Sequence, residues 1–336
     1  MANFSILGAG SWGTALAIML AEQSEHRVRL WEFRPDAAMQ LQKDRENREF
    51  LPGPPFPDAL HVTADVSEAV DGADVMLMVV PAQVVRQVLK QIDPEQVRNA
   101  TIIGAAKGIE EGTLLRMSEV TAEILGEDVL DRYLVLSGPS HAEEVSRGIP
   151  TTVVTAGPNL ALSEKVQHWM SCPTFRVYAG DDLVGVELGG ALKNIIALAT
   201  GMCDGLGFGD NTRGALMTRG LHEITRLGVA LGGQRETFAG LSGMGDMITT
   251  CTSRHSRNRF VGEQLGKGRT LDDILKNMTM VAEGVTTTHA GYKLGQKLGV
   301  ELPIVDKVNE ILFEGLDAKT AVVELMTRSL KVEQHL

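Results

Sequence analysis

Cysteine is scarce in this 336-residue chain: Cys172, Cys203 and Cys251 are odd in number and lack paired spacing. That excludes a disulfide framework and fits a reducing cytoplasm. No uninterrupted apolar run approaches the roughly 20 residues that cross a bilayer, so an integral membrane protein is not expected. The opening "MANFSILGAG" carries no basic stretch ahead of its apolar run, so no signal peptide is expected. Positive charge is in deficit, 32 Lys and Arg against 43 Asp and Glu, for a net charge of -11. Such a surface disfavours nucleic acid and anionic membranes, and an anionic ligand would need a local basic cluster. Metal-site spacing is missing: the eight histidines are dispersed, and "LHEITR" (221–226) lacks the second His of H-E-x-x-H. His141 beside Ser140 has no G-x-S-x-G elbow to make it a hydrolase site. Internal repeats, low-complexity tracts and long linkers are absent too.

What remains is enough for two cores. The length, with 43% hydrophobic residues, predicts two domains. From residue 1 to about 180, short apolar runs alternate with helix-like segments. Strands are expected at 4–10, 27–32, 74–80, 100–106, 133–139 and 150–157, with helices at 14–24, 82–91 and 113–126. That alternation predicts βαβ units in a doubly wound, mainly parallel sheet, an α/β Rossmann-like domain over 1–180. The Pro-rich "FLPGPPFPD" (50–58) is expected to be a loop. Beyond 180 only helical periodicity is read, at 183–203, 212–231, 258–267, 270–276, 286–298, 303–313 and 318–328, predicting an all-α substrate domain over 181–336. A ligand cleft between the two domains is expected.

Gly8, Gly10 and Gly13 in "ILGAGSWGTALA" form G-x-G-x-x-G directly after the first strand and at the opening of a helix. The first glycine permits the turn, the second admits a pyrophosphate and the third lets helix and strand pack, with helix-start amides facing the phosphates. Glu32, about 20 residues on, could accept from a ribose hydroxyl and favour NAD; Arg34 could meet a 2′-phosphate and favour NADP. Both choices stay open, as does a plainer reading in which the pair is solvated at a strand end.

Lys193 and Asn194 interrupt the otherwise apolar "LGGALKNIIALATG" (188–201). A helix apolar all round is buried, and burial disfavours the charged amine, so Lys193 reads as a proton donor and acceptor. The plainer reading is a lysine reaching solvent or pairing with Glu187. In "TSRHSRNRF" (252–260), Arg254, Arg257 and Arg259 with Ser253, Ser256 and Asn258 precede a helix and suit a phosphate site, or else a capped basic turn. Lys107 follows a strand end, where ligands of open α/β sheets gather. Ser140 and Glu143 in "SGPSHAEE" fit a capping box, and Asp246 in "GMGDM" is expected on a flexible loop.

These motifs in this order, namely "GAGSWGTALA", "KG" at 107–108, "SGPSHAEEV", "LKN" at 192–194, "GMGD", "SRN" at 256–258 and "VAEGV" at 281–285, resemble the bacterial NAD(P)-dependent glycerol-3-phosphate dehydrogenases over nearly the whole chain. The resemblance implies a Rossmann-like domain joined to an all-α domain, a homodimer, and interconversion of dihydroxyacetone phosphate and sn-glycerol 3-phosphate for phospholipid synthesis. It implies Lys193 as the proton-transferring residue and Lys107, Gly138, Ser140, Asp246, Ser256, Arg257 and Asn258 as substrate contacts. It places Ser11, Trp12, Arg34, Lys107, Ala142, Arg257, Val281 and Glu283, with the three glycines, around NAD or NADP, with no metal. Two rivals remain at this point: a related two-domain dehydrogenase for another hydroxy acid or sugar phosphate, and a sensor that binds NAD(P) without turnover.

Overall fold

The computed structural model describes residues 2–23, 25–278, 280–330 and 332–333. The chain forms two compact units, one of Met1–Lys107 with Leu115–Leu183 and one of Gly108–Leu114 with Val184–Leu336.

The first unit is built on β1 (Ala2–Leu7), β2 (His26–Trp31), β5 (Leu60–Thr63), β6 (Val75–Met78), β7 (Thr101–Gly104), β8 (Tyr133–Ser137), β9 (Thr151–Ala156) and β10 (Phe175–Gly180). They run in the order β10-β9-β8-β7-β6-β1-β2-β5. Every pairing is parallel except β8 with β9. The near-continuous apolar strands follow from burial on both faces. On β6, Val75 and Leu77 enter one core with Phe4, Ile6 and the helix Ser11–Ala21, while Met76 and Met78 enter the other with Val85 and Val120. The order reverses at β1, which lies between β2 and β6, and in such sheets that switch point is where ligands bind.

Two further strands, β3 (Glu46–Asn47) and β4 (Leu51–Pro55), form a separate antiparallel ribbon, so the Pro-rich stretch is not wholly loop. Proline is tolerated there because a two-stranded ribbon is all edge. Gly53, at φ 109°, donates its N–H to the Glu46 carboxylate and turns the ribbon. Strands β5 and β10 are not legible in the sequence; "LHVT" and "FRVYAG" are too short or too mixed to stand out.

The second unit packs around the helix Leu183–Gly205, buried from Gly185 through Cys203. Among the described residues it alone is long and apolar enough to cross a membrane, but 83% of its apolar window is buried inside the protein. Four glycines let the helix Arg257–Gly266 lie against it backbone to backbone. A Cβ on Gly201 would stand 2.0 Å from Arg259 O, and one on Gly262 would stand 2.0 Å from Leu198 O; on Gly205 and Gly266 it would stand 2.3 Å from Glu263 O and Met202 O.

Further out, Glu223 on the helix Asp210–Ala230 accepts N–H bonds from Ile304 and Val305, capping a helix (Pro303–Asn309) that has no side-chain cap of its own. Burial pushes this carboxyl up to about 7 despite those donors. A group raised in the fold stabilises fully below its unfolded value and loses that contribution as pH rises through the folded one. Stability is therefore expected to fall by about 3 kcal/mol from this group as pH rises from about 4.5 to about 7. Glu223→Gln should flatten the slope in denaturant melts; an unchanged slope would discard the assignment.

Candidate active site

In the first unit the turn after β1 fits a dinucleotide. Gly8 lies at φ 120°, and a Cβ there would strike Val79 O; a Cβ on Gly13 would stand 1.9 Å from Gly8 O. At Gly10 a Cβ meets nothing within 4 Å, leaving open room above the backbone for a pyrophosphate at the helix start. Ser11 donates to Phe50 O, and Trp12 packs 6.4 Å from the Phe175 ring. Glu32 and Arg34 are joined, Arg34 Nε 2.7 Å from Glu32 Oε1, and Arg34 also reaches Glu49.

Past β7 and β8, three expected residues converge. The Gly138 carbonyl accepts from Lys107 Nζ at 3.1 Å and from Ser140 Oγ at 3.0 Å. Ser140 therefore does not cap the helix Ala142–Val145; His141 is at the cap position, because the chain enters the helix one residue later than the motif suggests. Ala142 is buried at its first turn.

In the second unit Lys193 is only 5% exposed. Its Nζ lies 2.9 Å from Asp246 Oδ1 and donates to Thr250 Oγ1 at 2.5 Å, while Thr250 donates to Asp246 Oδ1 at 3.2 Å. The carboxylate compensates the ammonium for lost water, so the buried cation is paired. Asp246 is not on a flexible loop. It is 3% exposed and opens the helix Asp246–Thr252 after a π-helical turn, Leu241–Gly245. Gly243 serves packing there, since a Cβ would stand 2.1 Å from Phe238 O.

Asn258 Nδ2 donates to Asn194 Oδ1 at 2.9 Å and its Oδ1 accepts from Gly284 N at 2.9 Å, tying together three helices. Glu283 begins the third of these, Glu283–Leu298, and Val281, two residues earlier, is exposed. Ser256 caps the helix Arg257–Gly266 by accepting from Arg259 N, and Arg257 is exposed at its first position. The three arginines do not act together: Arg259 turns away to Asp204 at 2.8 Å and Glu263 at 3.5 Å, leaving Arg254 and Arg257 at the exposed turn. Among the described residues no three His, Cys, Asp or Glu side chains gather as a metal ligand set.

Two family models match the chain: NAD-dependent glycerol-3-phosphate dehydrogenase N-terminus over residues 3–163, and its C-terminus over 182–323. The chain belongs to the NAD-dependent glycerol-3-phosphate dehydrogenase family. It is 52% identical to the glycerol-3-phosphate dehydrogenase (NAD(P)+) of Pelotomaculum thermopropionicum over 96% of this chain and 93% of that one. It is 50% identical to the enzyme of that name from Citrifermentans bemidjiense over 98% of both chains. Among solved structures, the glycerol-3-phosphate dehydrogenase of Coxiella burnetii superposes with a TM-score of 0.91 at 40% identity, covering 97% of this chain and 99% of that one.

Within this family member, sequence reasoning missed Thr250 and Glu49, and the partner of Asn194. Thr250 follows Asp246 by four residues, which becomes a signal once that segment is helical. Asn194 adjoins Lys193 but is joined to Asn258 only through the tertiary fold.

Proposed function

We propose that this chain is an NAD(P)-dependent sn-glycerol-3-phosphate dehydrogenase that reversibly interconverts dihydroxyacetone phosphate and glycerol 3-phosphate. The observation carrying this reading is the buried Lys193–Asp246–Thr250 cluster, a polar triangle in an apolar core whose lysine can exchange a proton. When bound, the nicotinamide supplies or accepts the hydride at substrate C2. Lys193 polarises the carbonyl oxygen and protonates it as negative charge develops, and in the oxidation direction it takes the hydroxyl proton. Asp246 and Thr250 orient the amine.

Arg257, Ser256 and Asn258 at one helix start hold the substrate phosphate, so binding energy distant from C2 orients the reacting carbon. Lys107, Gly138 and Ser140 contribute further substrate contacts. Gly8, Gly10, Ser11, Trp12, Gly13, Arg34, Lys107, Ala142, Arg257, Val281 and Glu283 surround the cofactor. The division into a nucleotide domain over 1–180 and a substrate domain over 181–336, assembly as a homodimer, a cytoplasmic location and supply of glycerol 3-phosphate to phospholipid synthesis complete the proposal, supported by the family resemblance.

NADH or NADPH absorbance should fall when dihydroxyacetone phosphate is added to the purified chain. Arg257→Ala should lower kcat/KM for that substrate on the order of 10²-fold, through loss of a charge-assisted phosphate contact. Unphosphorylated dihydroxyacetone should be affected far less. Equal losses on both substrates would remove Arg257 as the phosphate anchor, and no turnover by the unaltered chain would remove the function.

A further inference from the structure

The proposed dinucleotide site leaves open which dinucleotide it takes, and the residues at the end of β2 bear on that choice. Glu32 is 4% exposed and accepts from both the backbone N–H and Nε of Arg34. The far side of the same guanidinium meets Glu49 in a two-pronged pair, at 3.0 and 3.4 Å. The two carboxylates hold Arg34 well above the ordinary guanidinium range.

Glu49 is 54% exposed, and an exposed pair on a loose loop would count for little. This loop is not loose. Asn47 donates to Ala9 O and Thr14 Oγ1, both at 2.8 Å, and accepts from Phe50 N; Phe50 O accepts from Ser11 Oγ at 2.7 Å. The segment carrying Glu49 is thus fastened at both ends to the glycine-rich turn itself.

The charges then decide the selectivity. Two carboxylates and one guanidinium sum to a net negative charge where a ribose 2′ substituent is read in this fold. A 2′-hydroxyl is neutral and can donate to Glu32. A 2′-phosphate would have to draw Arg34 away from Glu49 and settle beside two carboxylates. We propose that Glu49, by clasping Arg34 against Glu32, is a specificity residue that biases this chain toward NADH over NADPH. The proposal rests on the dinucleotide reading above.

Calorimetric titration of the full-length chain with NADH and with NADPH tests both. The unaltered chain should bind NADH at least about tenfold more tightly. Glu49→Gln should reduce the NADPH-to-NADH Kd ratio about three- to fivefold, with an unchanged melting temperature, and rising salt should narrow the ratio in the unaltered chain. NADPH binding as tight as NADH in the unaltered chain, or an unmoved ratio in Glu49→Gln, would overturn the proposal. If the unaltered chain binds neither, the dinucleotide reading falls and takes this inference with it.

Discussion

Lys193→Met is expected to lower kcat by about 10²–10⁴-fold, the loss typical of removing a positioned proton donor, while the Kd for the dinucleotide stays nearly constant. Methionine keeps the apolar body of the side chain and all but the terminal atom of its length, so the change isolates the amine. The structure adds a second consequence that the sequence does not show. Asp246 is 3% exposed and its Oδ1 faces Lys193 Nζ at 2.9 Å. Removing the cation strands a buried carboxylate, and breaking such a pair from one side costs about 3–5 kcal/mol. A falling rate alone would therefore not separate chemistry from damage to the fold.

The double variant Lys193→Met/Asp246→Asn separates them. With both charges gone the pocket holds no unpaired ion, and most of the lost stability should return in denaturant melts. Activity should not return, because no amine remains to exchange the proton. Recovery of turnover along with stability would show that the lysine served only to hold the core together. Near-wild-type turnover in the single variant would remove it from the mechanism outright.

The legible parts of this fold are those dictated by short-range chemistry. Strands β1, β6, β7 and β8 announce themselves as apolar runs because both faces are buried, and Gly8, Gly10 and Gly13 have a spacing that one turn demands. The sequence misleads where tertiary packing overrides a residue's local preference. The glycines of "GMGDM" suggest a loose loop, yet Gly243 is required by close approach to Phe238, and the segment winds into a helix that buries Asp246. The three arginines at 254–259 look like one basic cluster, yet Asp204, 55 positions away in sequence, withdraws Arg259. Lys193 and Asn194 stand out locally, but their partners Thr250 and Asn258 lie 57 and 64 positions away. No periodicity encodes such pairs; packing of three helices creates them.

That packing supplies the second large effect. Gly262→Ala should destabilise the protein by about 1–3 kcal/mol, the range for forcing extra volume into a filled interface, and should raise KM for dihydroxyacetone phosphate. A new Cβ at 262 would stand 2.0 Å from Leu198 O and 3.0 Å from Met202 N, backbone atoms that cannot turn aside as a side chain could. The helix Arg257–Gly266 must then move off the helix Leu183–Gly205, stretching the Asn258–Asn194 bond at one end and shifting Arg257 with it. Gly214→Ala is the matched comparison, because that glycine lies within the helix Asp210–Ala230 with nothing within 4 Å of a Cβ. There alanine should stabilise by about 0.5–1 kcal/mol through reduced backbone freedom in the unfolded chain. If thermal melts and KM showed the two substitutions to be alike, backbone-to-backbone contact between these helices would not be what places the turn proposed to bind phosphate.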